Sequence, residues 1–535
     1  MCAPENGARP ELLMSRFCPL ALLVMLTACS SESPAPTITP AAIDHAEPAH
    51  GAIAWYQGDV SAAFAKAKVD GKPIFLYWGA VWCPPCQQVK ATIFRRPEFL
   101  ARTRLVLPVY LDGDSPSAQK YAEQFGVVGY PTMIVFRPDG TEITRLPGGV
   151  DIDLYNSVLD SALASLKPVK SLVAAADREP ASLTPDDWHL LAYYSWDTAT
   201  DPLVDTDQVP AIVQGLINKC PPSVALDCIR LKLTLAVLVA AEHDQPTVTI
   251  DRRDLVSTLY EVLGDPQLTK SNRDYLIYNS KGLWRVATVP GSAERPALLT
   301  RWQSTLDASA DDTSLSTVDR VGMGYARVLL AKAHVGTGPL PPAVLEIARV
   351  RAAWADRVTS DPYERQAVIN RAAAMLDEAG LASEANDLLT RELKVSKSPY
   401  YFMLDIAELA QKAGHYDEAL HWLERAYNES EGPATRFQWG VNYLLGLIEM
   451  APDDDARIER VAFTVFDELG KSKDGIYQRT RIRLARLDQV LSDWNKSGKH
   501  KSAITARRNR LHAVCVPVAA QDSARVACDQ FLAAA

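Results

Sequence analysis

The sequence predicts an α/β domain near the N-terminus, followed by a long all-helical region. Between residues 52 and 168, short apolar runs rich in β-branched and aromatic residues alternate with amphipathic runs of helical period. From residue 186 to 535, long amphipathic runs alternate with short breaks at Pro, Gly, Asp and Asn, which is typical of consecutive helices. Residues 169–185 between them are predicted to be a linker with some helix.

The elements of the first domain follow from where apolar runs begin and where turn residues end them. A hairpin turn is predicted at Pro138-Asp139-Gly140 from its residue types. The predicted elements, in order, are a strand at 53–55, a helix at 60–69, a strand at 73–78, a helix at 87–94, a strand at 104–111, a helix at 118–125, strands at 133–136 and 141–145, and a helix at 151–166.

Two cysteines, Cys83 and Cys86, stand at the start of the helical run that follows the strand at 73–78. Cysteines three residues apart at a helix start lie on one face and can close a small disulfide. The free N–H groups and the dipole at that helix start stabilise a thiolate on the first cysteine. Pro85 suits the first turn, where its missing N–H is no loss. This is the pattern of a dithiol that exchanges with other disulfides.

A single Cys-x-x-Cys can also be half of a zinc site, which requires a second pair of ligands at suitable spacing. The sequence has no second Cys-x-x-Cys and no histidine near the first, so no metal is predicted. A second motif follows, Gly129-Tyr130-Pro131-Thr132, directly before the apolar run at 133–136. With Trp82-Cys83-Pro84-Pro85-Cys86 it resembles the thioredoxin superfamily over about a fifth of the chain. The resemblance implies the α/β thioredoxin fold, a central mixed sheet flanked by helices.

The resemblance also implies roles for the motif residues. Cys83 would be the attacking thiolate and Cys86 the cysteine that resolves the mixed disulfide. We therefore predict that Cys83 is exposed, with a pKa below the ordinary value of about 8.5, and that Cys86 is less accessible. The redox-active disulfide between them would replace any cofactor. The residues implied to line the substrate groove are Trp82, Pro84, Pro85, Tyr130 and Pro131.

The two motifs do not agree on the direction of electron flow. The Gly-Tyr-Pro-Thr form is similar to protein disulfide isomerase, whereas Cys-x-Pro-Cys is similar to thioredoxin and to membrane-tethered periplasmic reductases. Reduction, oxidation and isomerisation of disulfides all remain open. The sequence also departs from the family: Tyr77 stands where a buried acid often lies, and Pro108 aligns with the companion lysine. This departure predicts either proton transfer through water or slow turnover.

The N-terminus resembles a bacterial lipoprotein signal. A short basic start at Met14-Ser15-Arg16 and an apolar run at 20–26 precede Leu26-Thr27-Ala28-Cys29. We predict a signal peptide at 1–28, a lipidated Cys29 and a flexible tether at 29–51, with either Met1 or Met14 as the start. An uncleaved signal anchor is the alternative. Ser30 is similar to the residue that follows the lipidated cysteine in outer-membrane lipoproteins of Gram-negative bacteria.

The remaining cysteines support an oxidising compartment. Setting aside Cys2, Cys18 and Cys29 leaves six of the nine cysteines. An even number in close pairs is typical of disulfides in an oxidising compartment, although buried free thiols are the alternative. The pairs predicted to be structural disulfides are Cys220 with Cys228 and Cys515 with Cys528.

The helical region contains an internal repeat over residues 366–433. Four positions recur 34 residues apart: Ala373 and Ala407, Gly380 and Gly414, Ala385 and Ala419, and Pro399 and Pro433. This period resembles the tetratricopeptide repeat and implies paired helices that stack into a protein-binding surface. An irregular helical bundle is the alternative.

Together these features predict a lipid-anchored thiol–disulfide oxidoreductase that faces the periplasm. The predicted partners are client proteins with cysteines or disulfides, a periplasmic electron donor or acceptor protein, and the membrane through the lipid. Nucleic acid is not predicted as a partner, because the net charge is −9 and no Lys/Arg-rich run occurs. The alternative is a protein-binding scaffold or assembly factor whose thioredoxin-like domain is mainly structural.

Overall fold

A computed structural model describes residues 53–127, 129–146, 152–196, 208–242, 246–471 and 474–531. The predicted signal peptide at 1–28 and the predicted tether at 29–51, which includes Cys29, lie outside the described residues. The predictions about them are therefore not addressed by the structure.

The N-terminal domain alternates helices and strands. Its elements are α1 Val60–Asp70, β1 Ile74–Gly79, α2 Pro84–Thr92, α3 Pro97–Thr103, β2 Leu107–Asp112, α4 Ala118–Gln124, β3 Thr132–Phe136, β4 Glu142–Leu146 and α5 Ile152–Ser165. The prediction of a strand at 53–55 is wrong. One backbone hydrogen bond joins the residue after this segment to β2, from the Tyr56 N–H to the Pro108 carbonyl at 2.8 Å. The segment is held mainly by the Trp55 ring, which packs against Phe75 and Phe94.

The four strands form one mixed sheet in the order β2-β1-β3-β4. Strand β1 runs parallel to β2 and antiparallel to β3, and β3 pairs antiparallel with β4. All six residues of β1 are buried, as expected for an apolar strand at the centre of a sheet that is covered on both faces. The loop that carries Cys83 leaves the end of this central strand.

The rest of the described chain is helical. The helices are α6 Val169–Arg178, α7 Pro185–Ala192, α8 Val209–Lys219, α9 Ala225–Ala241, α10 Arg252–Gly264, α11 Pro266–Ser271, α12 Arg273–Tyr278, α13 Ser280–Ala287, α14 Glu294–Asp311, α15 Thr317–Val335, α16 Pro342–Val358, α17 Pro362–Glu378, α18 Ala382–Glu392, α19 Pro399–Lys412, α20 Tyr416–Glu429, α21 Pro433–Met450, α22 Asp455–Leu469, α23 Gln478–Trp494, α24 Lys501–Cys515 and α25 Ser523–Gln530. Helix α6 lies in the predicted linker and buries Val169, Leu172 and Ala176.

The 34-residue period corresponds to two helix pairs, α17 with α18 and α19 with α20. Gly380 and Gly414 end the first helix of each pair with nearly identical φ angles of +78° and +77°, a left-handed conformation that favours glycine. Ala385 and Ala419, at the start of each second helix, are fully buried, so no larger side chain separates the helices there. The period is lost at the next turn, between α21 and α22, where Ala451 has a φ of −138°. Membership of the tetratricopeptide class stays a prediction.

Two disulfides join neighbouring elements of the helical region. Cys220 and Cys228 are bonded with a Cα–Cα distance of 5.8 Å, and Cys515 and Cys528 with 6.1 Å. Both distances lie within the range that a disulfide requires. The first bond joins the end of α8 to α9, and the second joins the end of α24 to α25.

The helical region contacts the N-terminal domain on two sides. On one side, Tyr155 of α5 shares an apolar core with Trp188 and other residues of α6 to α9. On the other side, Cys83 and Cys86 share a core with Trp439 and further apolar residues from α19 to α25. The last helices therefore lie over the face of the domain that carries the two cysteines.

Candidate functional site

Cys83 is the residue that starts helix α2. Its backbone is extended, with φ −75° and ψ 114°, and its Sγ accepts a hydrogen bond from the Cys86 N–H at 3.2 Å. Pro84 and Pro85 occupy the first two helical positions, where a missing N–H is tolerated. The two cysteines are bonded to each other, with their Cα atoms 5.2 Å apart. The strand–turn–helix expected from the sequence thus places both sulfurs at one helix start.

The second motif lies beside the first because β1 and β3 are paired. Thr132 at the start of β3 lies opposite Trp78 near the end of β1. The peptide bond between Tyr130 and Pro131 is cis. The Tyr130 ring stacks on Trp78 with centroids 6.3 Å apart and meets Trp82 edge-on at 5.9 Å. Tyr130 therefore borders the Cys83 loop, where the resemblance places the substrate groove.

The prediction that Cys83 is exposed is wrong. Its exposed fraction is 1%, that of Cys86 is 0% and that of Trp82 is 2%. The helix-start position alone would leave this sulfur at the surface of the domain. It is buried because helices of the C-terminal region lie on top of it, and nothing in the local sequence indicates that cover.

Trp82 makes the central contacts with the covering helices. Its indole Nε1–H donates to Thr435 Oγ1 at 2.7 Å, and its backbone carbonyl accepts from Gln366 Nε2 at 3.2 Å. Its ring stacks on Tyr401 at 5.9 Å and meets Trp439 edge-on at 4.8 Å. The carbonyl, the indole N–H and the ring of Trp82 are therefore all in contact with α17, α19 or α21.

Asp114, in the loop after β2, caps helix α21 from the other half of the chain. Its carboxylate accepts from the Thr435 N–H at 2.8 Å and from the Thr435 hydroxyl at 2.5 Å. Gly432, the residue that starts α21, has no side chain with which to cap its own helix. A Cβ at Gly432 would lie 2.3 Å from the Asp114 carboxyl carbon, so only glycine fits. Burial, and next the neighbouring Asp112, raise the pKa of Asp114 to about 7 despite the Thr435 bonds.

Two further helix starts are capped across the same interface. Asp474, before α23, accepts from the backbone N–H groups of Gln119 at 2.7 Å and Lys120 at 3.4 Å, in the first turn of α4. In the opposite direction, Glu123 of α4 accepts from the Gln478 N–H at 3.1 Å, at the start of α23. The residue at the start of α4 and the residue at the start of α23 make no capping hydrogen bond to their own helix. The two halves of the chain therefore complete each other's helix ends around the site.

Arg479 brings a positive charge to the rim of the site. Its guanidinium lies 4.7 Å from the Tyr130 ring centroid and 5.3 Å from that of Trp82, within the range of a cation–π contact. Its Nε–H donates to Gln438 Oε1 at 2.7 Å, which fixes the guanidinium against the two rings. This arginine belongs to α23 and lies 349 positions after Tyr130 in the sequence.

The interior beneath the cysteines is aromatic where the family often has an acid. Tyr77 is fully buried, and its ring stacks on Tyr110 at 5.3 Å and meets Phe94 edge-on at 4.8 Å. Tyr110 lies opposite Tyr77 across β1 and β2. The Tyr110 hydroxyl donates to Asp112 at 2.8 Å. The departure that the sequence indicates at Tyr77 is thus a packed aromatic cluster.

The described residues do not form two other kinds of site or segment. Among them, no three His, Cys, Asp or Glu side chains are grouped so that they could hold a metal ion. Within the same residues, no helix combines the length and the apolar character that crossing a membrane requires.

Known proteins match the N-terminal domain. The family model described as thioredoxin-like domain matches residues 60–163. Thioredoxin H4 of Arabidopsis thaliana is 33% identical over 94 residues, covering 18% of this chain and 75% of the relative. A thioredoxin H-type of Chlamydomonas reinhardtii is 31% identical over 103 residues, covering 19% of this chain and 87% of that relative. This chain belongs to the thioredoxin family.

A longer relative is matched over only a small part of its own length. Thiol:disulfide interchange protein DsbD 1 of Pseudomonas aeruginosa is 29% identical over 100 residues, or 17% of this chain. The chain spans about a sixth of that relative's length, 16%. A solved structure titled DsbH Oxidoreductase matches with 22% identity over 24% of this chain and 96% of that one, at a TM-score of 0.20.

No sequence pattern identifies the residues that cover the thioredoxin-like site. They lie hundreds of positions away from Cys83, and no local motif marks them. One weak signal was available: α21 begins at a glycine and α23 at a tyrosine, so neither start supplies the Ser, Thr, Asp or Asn that usually caps a helix. A helix without its own cap can take one from elsewhere in the fold.

Proposed function

We propose that this chain is a thiol–disulfide oxidoreductase that reduces or rearranges disulfides in client proteins on the periplasmic side of the envelope. The observation that carries the proposal is the disulfide between Cys83 and Cys86 at the start of α2, beside the Tyr130-Pro131 turn. The thioredoxin-like match and the relatives named as thioredoxins and thiol:disulfide interchange protein support it.

A single turnover of the reduced protein needs only the two sulfurs and a client disulfide. In the reduced protein the Cys83 thiolate attacks one client sulfur, and the other leaves as a thiolate. Cys86 then attacks the Cys83 sulfur of the mixed disulfide and releases the second client thiolate. Two electrons pass to the client and the Cys83–Cys86 disulfide forms. A periplasmic dithiol protein would have to reduce it again.

The helical region is proposed to select the client. Its paired helices α17 to α20 would supply the binding surface, in the manner of other helical repeats. A scaffold remains the second candidate, and the burial of Cys83 favours it, since a sulfur that is 1% exposed cannot meet a client in this conformation. In a scaffold, Cys83→Ser would leave partner binding intact.

We further propose that the protein is lipidated at Cys29 and faces the periplasm from the outer membrane. The predicted signal at 1–28 and tether at 29–51 support this. Replacing Cys29 by serine removes the thiol that would carry the lipid. The variant is expected to accumulate as an unprocessed precursor or to leave the membrane fraction, as judged by fractionation and intact mass. Unchanged processing and fractionation would contradict the lipid anchor.

Turnover of a defined disulfide tests the proposed activity. The full chain is incubated with dithiothreitol and insulin, and the reduction of insulin is followed against the uncatalysed rate. The Thr435→Val variant is assayed in parallel, because it removes a contact over Trp82 without touching either cysteine. Catalysis by either protein supports the oxidoreductase. A rate equal to the uncatalysed one for both contradicts it.

A further inference from the structure

We propose that helices α17 to α23 form a cover that closes the thioredoxin-like site, and that disulfide exchange requires its displacement. The inference rests on the proposed function, because only an exchanging sulfur needs to be reached. In-line attack on a disulfide requires access to the sulfur. With Cys83 1% exposed and Cys86 fully buried, no protein can approach either atom in the closed form.

The cover occupies the surface that a client would use. Trp82 and Tyr130, which border the cysteines, are 2% and 7% exposed. The Trp82 carbonyl and indole N–H are bonded to Gln366 and Thr435, and its ring lies against Trp439. The cover and a client therefore compete for the same groups, so the contact is autoinhibitory.

The polar part of this contact suits a surface that opens and closes. Three helix starts, those of α4, α21 and α23, are capped across the interface by Asp474, Asp114 and Glu123. A helix start can exchange a carboxylate cap for water when the two surfaces separate. At the edge, Arg95 pairs with Asp361 at 3.0 Å. Exposed ion pairs of this kind contribute little to holding surfaces together.

Thr435 is the position at which the cover can be weakened with least disturbance. Its hydroxyl accepts from Trp82 and donates to Asp114, so it links the domain and the cover at two points. Valine has the same shape but no hydroxyl. In the closed form, Thr435→Val leaves two buried polar groups without this partner, whereas in the open form water can satisfy both. The substitution therefore penalises only the closed form.

Thr288 provides a matched control. Its hydroxyl donates to the Trp284 carbonyl at 2.8 Å within the same helical turn, at the end of α13. It is 8% exposed, so Thr288→Val also removes a buried hydroxyl. The control differs from Thr435→Val in lying outside the contact with the cysteines. A second opening variant, Asp474→Ala, removes the cap from α4 and tests the same interface from a different position.

The experiment measures how fast dithiothreitol reduces each disulfide in the full chain. Samples are quenched and alkylated, and the Cys83–Cys86 and Cys220–Cys228 peptides are quantified by mass spectrometry. The protection factor of each disulfide is its reduction rate in guanidinium chloride divided by its reduction rate in the folded protein. Cys220 and Cys228 are partly exposed and serve as the internal reference for a disulfide that dithiothreitol reaches without opening of the cover. Circular dichroism confirms that each variant keeps its helices.

We expect strong protection of Cys83–Cys86 in the unmodified protein and weak protection of Cys220–Cys228. Thr435→Val and Asp474→Ala are each expected to speed reduction of Cys83–Cys86 about tenfold or more. A factor of ten corresponds to a loss of about 1.4 kcal/mol in the stability of the closed form relative to the open form. Thr288→Val should change neither rate by more than about twofold, well below that threshold. Equal protection of both disulfides in the unmodified protein would overturn the cover, as would opening variants that leave the Cys83–Cys86 rate unchanged.

Failure of the cover and failure of the oxidoreductase assignment give different results. If the opening variants expose the sulfurs but insulin is still not reduced, the cover stands and the activity is wrong. If insulin is reduced at the same rate by the unmodified protein and by Thr435→Val, the activity stands and the cover does not limit it.

Discussion

Replacing Cys83 by serine is expected to reduce insulin turnover to the uncatalysed rate. A serine hydroxyl is not ionised near neutral pH and cannot form the mixed disulfide, so the first bond of the reaction is lost. In the unmodified protein the Cys83 Sγ accepts a hydrogen bond from the Cys86 N–H and so caps α2. A serine oxygen at position 83 can accept the same hydrogen bond. The fold should therefore persist, and the loss should be chemical. Insulin reduction by the full chain in the Thr435→Val background is the measurement.

The control for this prediction is the double variant Cys220→Ser, Cys228→Ser. It removes a disulfide in the helical region, at the junction of α8 and α9, and leaves the site unchanged. Because the disulfide closes a short loop, this control should lose at most about 2–4 kcal/mol of the free energy of unfolding. The molecules that remain folded should keep their turnover. Turnover that survives Cys83→Ser, or that depends on Cys220 and Cys228, would place the chemistry elsewhere.

The largest effect on stability is expected from Asp274→Ala in the helical region. Asp274 accepts two hydrogen bonds from Arg230, at 2.7 and 2.6 Å, and the two side chains are 4% and 1% exposed. The guanidinium also lies 3.6 Å from the centroid of the Tyr275 ring. Removing the carboxylate leaves a buried charge without its counter-ion, which costs about 3–5 kcal/mol. Urea unfolding followed by circular dichroism measures the loss.

A neighbouring ion pair provides the matched control. Lys232 pairs with Asp254 at 2.8 Å, but these side chains are 31% and 54% exposed. Because water screens both groups, Asp254→Ala should change the free energy of unfolding by about 0–1 kcal/mol. Equal losses in the two variants would show that burial does not distinguish the pairs, and would contradict the account of Arg230 as part of the core.

The sequence is sufficient for the parts of the fold that depend on neighbouring residues. The apolar run that becomes β1, the proline-bearing start of α2 and the turn at Tyr130-Pro131 all follow from local patterns. The 34-residue period likewise marks helix pairs, because the left-handed turn at Gly380 and Gly414 needs the same residue in each copy. The error at 53–55 has a local cause: the segment packs through the Trp55 ring, with little backbone pairing.

The state of the site could not be predicted in this way. Whether Cys83 is exposed depends on Gln366, Thr435 and Trp439, which are about 280 to 360 positions away. Each of these residues looks ordinary in its own helix, and no single-sequence pattern pairs them with Trp82. The direction of electron flow also stays open, because it depends on the relative stability of the two redox states.

The most direct test of the central claim, that Cys83 attacks client disulfides, is to trap the mixed disulfide. Reduced Cys86→Ser protein, in the Thr435→Val background, is mixed with insulin, and the covalent products are mapped by mass spectrometry. Without Cys86 the second step cannot occur, so an insulin chain should remain bonded to Cys83. No such product should form with Cys83→Ser, Cys86→Ser. An absence of adduct from the opened Cys86→Ser protein, or an adduct on another cysteine, would contradict the proposed chemistry.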